Sequence, residues 1–313
     1  RIDRPVRIME VCGGHTNTVM RYGIRGILPK HINLISGPGC PVCVTTQHEI
    51  DCMIELALRG HTIATYGDML RVPGSRCSLE EAREQGADIH MVYSAAEVLK
   101  LHDPIFFGIG FETTAPMTAF LLKNRVKVYS SHKLIPPAME ALQDDVDGFI
   151  NPGHVSTIIG SDAYTAKVPQ VIAGFEAEEF LKALYMLLIM IRKGRKDVLN
   201  AYPEAVRKKG NLFALDLINE HFSVEDSEWR GLGVLKRSGL AVRDKSLDAK
   251  EIYKDTLAKV KTKKNACRCA DVLKGMDPKE CPLFGSCNPE KPMGACMVSS
   301  EGSCQIAYKY GSE

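Results

Sequence analysis

Between residues 6 and 195, short apolar runs alternate with longer stretches in which apolar positions recur every three or four residues. The short runs read as strands: Val6–Val11, Ile32–Ser36, Thr62–Tyr66, Asp88–Tyr93, Ile105–Ile109, Val126–Ser130, Gly148–Asn151 and Gln170–Ala173. The longer stretches read as helices. Over Thr46 to Leu58, the residues Ile50, Met53, Ile54, Ala57 and Leu58 fall on one face. Ser78-Leu-Glu-Glu81 has the capping-box form that opens a helix. Further helices are expected after Cys12-Gly-Gly-His-Thr16 as far as Arg21, at Ala95–Leu101 and, longest, at Ala177–Arg192. This alternation predicts an α/β protein with parallel sheets and flanking helices. Taken in chain order, the strands form two sets of four. Two similar α/β domains are therefore expected, 1–103 and 104–195, each with a four-stranded sheet.

From residue 196 the pattern changes. A charged stretch read as helical leads to the glycine-rich Trp229-Arg-Gly-Leu-Gly233, then to a Lys-rich linker (Lys259 to Lys264) and a cysteine-rich tail. Residues 196–313 are expected to form a third, mainly helical unit. Its last part has too few apolar residues to fold unaided, and a metal centre would supply the missing stability.

The 313 residues are 45% hydrophobic and 25% charged, an ordinary globular composition. Forty Lys and Arg against 38 Asp and Glu leave a net charge of +2, which lacks the basic footprint of a nucleic-acid binder. The longest apolar run, Ala183 to Ile191, has nine residues. A membrane span needs about 20, so a buried helix is expected there. The start, Arg1-Ile2-Asp3-Arg4-Pro5, has no apolar signal-peptide segment and no initiator Met, and it supports no targeting conclusion.

Cysteine changes the picture most. There are eleven, and six of them lie in the last 47 residues. In a chain of this size, thiol chemistry or metal binding is a better reading than a disulfide framework. Four segments carrying reactive side chains follow predicted strands, where ligands of open parallel sheets bind. They are Cys12-Gly-Gly-His-Thr16, Gly37-Pro-Gly-Cys-Pro-Val-Cys43, Gly110-Phe-Glu-Thr-Thr114 and Asn151-Pro-Gly-His-Val-Ser156. Cys12, at a strand–helix junction, is expected to have its pKa lowered by helix amides and to act as nucleophile or iron ligand. The alternative is a small buried residue at a tight turn. Cys40 and Cys43 form a C-x-x-C, read as a redox pair rather than half a zinc site. Glu112 with Thr113 and Thr114, and His154 with Ser156, are candidate acid–base or hydrogen-bonding groups. Asp68, Arg71 and His132 are weaker candidates, and Cys52 and Cys77 read as structural. The tail spacing C-x-C-x11-C-x5-C-x8-C-x7-C suits a thiolate-bound 4Fe-4S cluster better than zinc, which usually shows paired C-x2-C knuckles. Spacing alone leaves open which four of the six cysteines serve.

Together with Asp226-Ser-Glu-Trp-Arg-Gly-Leu-Gly233, Cys281-Pro-Leu-Phe-Gly285 and Met297-Val-Ser-Ser-Glu-Gly302, these segments resemble the HypD family of nickel–iron hydrogenase maturation factors along essentially the whole chain. Members of the family usually have further residues before the region matching Arg4-Pro-Val-Arg7. The resemblance implies two similar α/β domains plus a cluster domain like that of ferredoxin–thioredoxin reductase. It implies assembly with HypC and HypE of the Fe(CN)2CO precursor destined for the hydrogenase large subunit. The iron would be held through Cys12, beside His15, Glu112 and His154. Electrons would pass to Cys40 and Cys43 from a 4Fe-4S cluster on Cys269, Cys281, Cys287 and Cys304. Cys267 and Cys296 are additional thiols, and Met276-Asp277 stands where some relatives carry another cysteine.

The reading is thus a redox-active assembly scaffold rather than a stand-alone turnover enzyme, with no nucleic-acid or membrane partner. An iron–sulfur centre and reactive thiols suit a reducing cytoplasm. A cluster-dependent thiol–disulfide oxidoreductase is the main alternative, and it leaves Cys12 without a task. A structural zinc protein is the third.

Overall fold

The computed structural model describes residues 2, 4–263 and 266–311. Arg1 and Asp3 of the start and Lys264 of the linker lie outside the described residues. The chain begins β1 (Val6–Glu10), α1 (Gly13–Arg21), α2 (Ile24–Ile27), β2 (Ile32–Ser36), α3 (Pro41–Val44) and α4 (Gln47–Leu58). It continues β3 (Ile63–Tyr66), α5 (Leu79–Glu84), β4 (Ile89–Val92), β5 (Ile105–Gly110), α6 (Ala115–Lys123), β6 (Lys127–His132) and α7 (Ile135–Leu142). Next come β7 (Gly148–Pro152), α8 (Gly153–Ile159), β8 (Gln170–Ala173), α9 (Ala177–Arg192), β9 (Val198–Asn200) and α10 (Leu212–His221). The last part holds β10 (Phe222–Trp229), β11 (Gly233–Val242), α11 (Ala249–Ile252), α12 (Lys254–Leu257), α13 (Cys269–Val272), α14 (Ala295–Val298) and α15 (Ser303–Tyr310).

The local signals act as expected. Thr46 and Ser78 close capping boxes with Glu49 and Glu81, which satisfies first-turn amides of α4 and α5. The apolar side of α9 is buried through Phe180, Ala183, Leu184, Leu187 and Met190. Ala95–Lys100 winds as a tighter 3-10 helix rather than an α-helix. Among the described residues no helix is long and apolar enough to cross a membrane.

Two parallel sheets form, but strands do not group in chain order. One sheet runs β2-β1-β7-β8-β9 and the other β4-β3-β5-β6. The chain starts the first sheet, leaves to build the second, and returns. β1 accepts β7 on its free side, pairing Ile8 with Gly148 and Glu10 with Ile150. The chain-order grouping into 1–103 and 104–195 therefore does not describe the sheets. Both β1 and β7 are buried, apolar and parallel, and such strands carry no local mark of their neighbour.

The stretch after 196 also differs from the helical expectation. It adds β9 to the first sheet and then folds β10 and β11 into an antiparallel ribbon. The ribbon's alternation is legible once seen, since Ser223, Glu225 and Ser227 are half-buried and Trp229 buried, while Val224, Asp226 and Glu228 between them are exposed. It covers the free edge of β6: Leu134 donates to Ser238 O at 2.8 Å and Ser130 to Leu240 O at 2.5 Å. An open edge is thereby closed. Beyond Val242 the described residues form only short helices, of which α15 is the longest at eight residues.

Candidate functional site

Because β1 and β2 are parallel neighbours, the loops at their carboxyl ends lie side by side. Cys12 is the extended N-cap residue of α1, and the Gly37–Cys43 segment runs past it. Gly13 N donates to Gly39 O at 3.3 Å. The space a side chain on Gly39 would need is filled by the Val11 and Cys12 backbone, and that of Gly13 by Glu301. Only glycine permits approach this close.

The Cys12 thiol is pushed up to about 12 by burial and by the Glu301 carboxylate. The amides of Gly14 and His15 pull the other way and lose. The expected lowering by the helix terminus is thus overturned, because desolvation and a nearby negative charge both favour the neutral thiol. Below it, buried Glu10 accepts from Cys12 N at 3.2 Å and from Thr16 Oγ1. Burial raises the Glu10 carboxyl to about 7.

Cys40 and Cys43 are joined in a disulfide with Cα atoms 5.2 Å apart. Pro41 opens α3 between them, and both cysteines are buried.

His15 and His154 meet across a residue that the sequence reading missed. Phe175, in the loop after β8, stacks on His154 at 3.9 Å and on His15 at 4.9 Å between ring centroids. His15 is fully buried, its Nε2 is 2.9 Å from Gly174 O, and desolvation lowers it to about 4. It is therefore a neutral positioning group. His154 is exposed on one side, and its partial burial lowers its pKa too.

Glu112 is buried. Its Oε1 accepts from Ile135 N at 3.0 Å, the first amide of α7, while Oε2 has no hydrogen-bond partner among the described residues. Burial raises it to about 7, so near neutral pH it is divided between its protonated and ionised forms. Ser156 meets Tyr164 Oη at 2.7 Å, and burial raises that tyrosine's pKa, with Glu112 and Cys12 close enough for their ionised forms to raise it further. His132 is buried against Thr118 at 2.8 Å and is structural. Asp68 accepts from Ser299 Oγ at 2.9 Å and bears on Glu301, so it reaches the rim of the Cys12 loop. Arg71 instead donates to Glu290 O at 3.1 Å.

In the tail, Cys267, Cys269, Cys281, Cys287 and Cys304 line one small enclosed cavity with Val272, Leu283, Phe284 and Met297. The Cys267 and Cys269 sulfurs are 2.9 Å apart. Cys296, fully buried, hydrogen-bonds with Cys269 and Cys304. Shared hydrogen bonds lower the Cys269 and Cys304 thiols and raise Cys267 and Cys296. No group of three His, Cys, Asp or Glu among the described residues is placed to hold a single metal ion. A zinc site requires all its sulfurs at about 2.3 Å from one point. Five thiols spread around an apolar cavity fit the larger group that a thiolate-bound cluster represents.

Sequence signals existed for most of the residues missed. Glu301 and Arg230 lie in segments already singled out, and Phe175 follows a strand end like the other site loops. Tyr164 had none.

The HypD family model, described as "Hydrogenase formation hypA family", matches residues 1–311. The chain is 44% identical to the hydrogenase maturation factor HypD of Azotobacter vinelandii, covering 99% of this chain and 90% of that protein. It is 43% identical to a putative hydrogenase expression/formation protein of Methanocaldococcus jannaschii, covering 99% and 93%. It is 40% identical to the hydrogenase maturation factor HypD of Escherichia coli, covering 98% and 90%. With the Cys12 loop, the C-x-x-C helix and the thiol-lined tail in place along a chain matched almost end to end, the protein belongs to the HypD family of hydrogenase maturation factors.

Proposed function

We propose that this protein is the scaffold on which, with HypC and HypE, the Fe(CN)2CO precursor is assembled for the hydrogenase large subunit. The observation that carries this reading is the continuity of the thiols. The Cys12 loop touches the C-x-x-C loop at Gly13 and Gly39, and α3 packs against α14, whose Met297 lines the tail cavity.

Cys12 is the iron holder in this reading. Its raised pKa keeps it protonated until the metal displaces the proton, so iron loading releases one proton. A soft thiolate is the donor that low-valent iron with strong-field ligands needs. The Cys40–Cys43 disulfide takes up two electrons and two protons to become two thiols. Cys269, Cys281, Cys287 and Cys304 would hold a 4Fe-4S cluster, which when bound supplies electrons one at a time. Glu112, with its carboxyl raised to about 7, can donate a hydrogen bond from Oε2 when protonated and accept one when ionised. His154, with one face on Phe175 and one open, can accept or give a proton at the mouth of the site. Such thiol chemistry suits a reducing cytoplasm.

The test is infrared spectroscopy of the anaerobically purified chain, co-expressed with HypC and HypE, in the cyanide and carbonyl stretching region. Bands are expected in the wild type and absent in Cys12→Ala. Their absence from a wild-type sample with bound partners and proven cluster content would favour the thiol–disulfide oxidoreductase, which the disulfide packed toward the tail thiols also suits. Glu112→Gln and His154→Ala are expected to slow maturation, and wild-type rates in both would remove them from the site.

A further inference from the structure

Arg230, at the tip of the β10–β11 ribbon, stands between the disulfide helix and the tail thiols. Its backbone N donates to Val44 O at 2.9 Å, just past Cys43. Its Nε donates to Thr45 O at 2.9 Å, and one Nη reaches Gln47 Oε1 at 3.5 Å. The next residue, Gly231, is pressed against Ala270, beside Cys269, so closely that a side chain there would collide with the Ala270 backbone. The ribbon tip is therefore wedged between α3 and α13.

Among the described residues the acceptors of this guanidinium are all uncharged, and its other Nη is buried without a hydrogen-bond partner. An arginine always carries its charge, and a cation surrounded by neutral acceptors keeps its full field. That field acts close to the tail, because the next residue, Gly231, lies against Ala270 beside Cys269.

We propose that Arg230 is a positioning residue that sets the reduction potential of the tail's redox centre and holds that centre in register with the Cys40–Cys43 helix. The proposal rests on the cluster reading of the tail. Adding one electron to a thiolate-bound cluster adds one negative charge. A nearby uncompensated cation stabilises that reduced form, and removing the cation makes reduction harder. The hydrogen bonds to Val44 and Thr45 place the same cation at the carboxyl end of α3, where the exposed carbonyls favour positive charge.

The experiment is a redox titration, followed by electron paramagnetic resonance, of the anaerobically reconstituted full chain. Wild type is compared with Arg230→Gln and Arg230→Lys. Arg230→Gln is expected to lower the one-electron equilibrium constant for reduction about tenfold, or about 59 mV, with iron and sulfide content unchanged. Arg230→Lys, which keeps the charge, is expected to recover most of that shift. If Arg230→Gln does not fold, Gln47→Glu neutralises the guanidinium in place and is expected to move the potential the same way. A wild-type chain that takes up no iron and sulfide would overturn the cluster reading and this proposal with it. A loaded wild type whose potential is matched by Arg230→Gln, or by Gln47→Glu where that variant stands in, would overturn the proposal alone and leave Arg230 a mechanical clamp.

Discussion

The Cys12 loop and the cysteine-rich tail are both thiol sites, yet opposite means hold them. Cys12 is placed by backbone: two paired strands, the Gly13–Gly39 contact and a buried Glu10 beneath. The thiol itself supports nothing and stands protonated. In the tail, helices as short as four residues carry the cysteines, and the sulfurs hydrogen-bond to one another. One site is a scaffold that presents a thiol. In the other, the thiols and whatever they bind are the scaffold.

That contrast breaks most easily at single cysteines. Cys269→Ala is expected to abolish iron and sulfide uptake and to expose the segment after Lys259 to protease. Cys12→Ala should change global stability by less than about 1 kcal/mol. Denaturant curves and metal analysis of the two variants check this, and equal destabilisation would erase the distinction.

A second test strikes the backbone that presents Cys12. Gly39→Ala forces a methyl group into the Cys12 backbone and is expected to cost about 1–3 kcal/mol. Gly26→Ala, which meets open space in α2, is expected to be neutral or to stabilise by about 0.4–1 kcal/mol. Thermal unfolding separates them.

A third uses pH. Glu112 has its folded pKa raised to about 7 by burial, above its ordinary value of 4.5. Between those values the folded state binds more protons than the unfolded one, so stability falls as pH rises through that window. Glu112→Gln is expected to flatten the fall, with a gain on the order of 1–3 kcal/mol above pH 7. His15 works in the opposite direction at the acid end. Its folded pKa of about 4 lies below the ordinary 6.5, so stability is lost as pH drops through that range. The two slopes oppose each other between about pH 4.5 and 6.5, so urea titrations at pH 5, 6, 7 and 8 of wild type and Glu112→Gln isolate the Glu112 part by difference, and an unchanged profile in Glu112→Gln would contradict the burial of that carboxyl.

The smallest effect sharpens the aromatic stack. Phe175→Leu is expected to cost about 0.5–1.5 kcal/mol in ring contacts. It should also let the His154 pKa, held down by burial, move back toward its ordinary value. Imidazole proton resonances followed against pH would report it.

The extent of what could be read in advance differs between elements for physical reasons. Capping boxes at Thr46 and Ser78 and the apolar face of α9 are local, and they formed where expected. The strand-end loops bearing Cys12, Cys40, Cys43, Glu112 and His154 were also legible, since glycine and proline beside reactive side chains mark them. The charged stretch that becomes β10 reads as helix because its half-buried face, Ser223, Glu225 and Ser227, is itself polar and masks the two-residue alternation that ends at Trp229. Phe175 and Tyr164 became site residues only through contact with groups far off in sequence.

By itself, then, the sequence determined the α/β class, the position of most helices and strands, and the chemistry available, because each depends on spacing within one element. Tertiary structure decided the rest. It chose β7 over β3 as the partner of β1, brought Arg230 between two thiol sites, and made Cys12 a protonated thiol rather than an activated one. Strand partners, buried charges and desolvation depend on what surrounds a residue in space, and no local pattern carries that information.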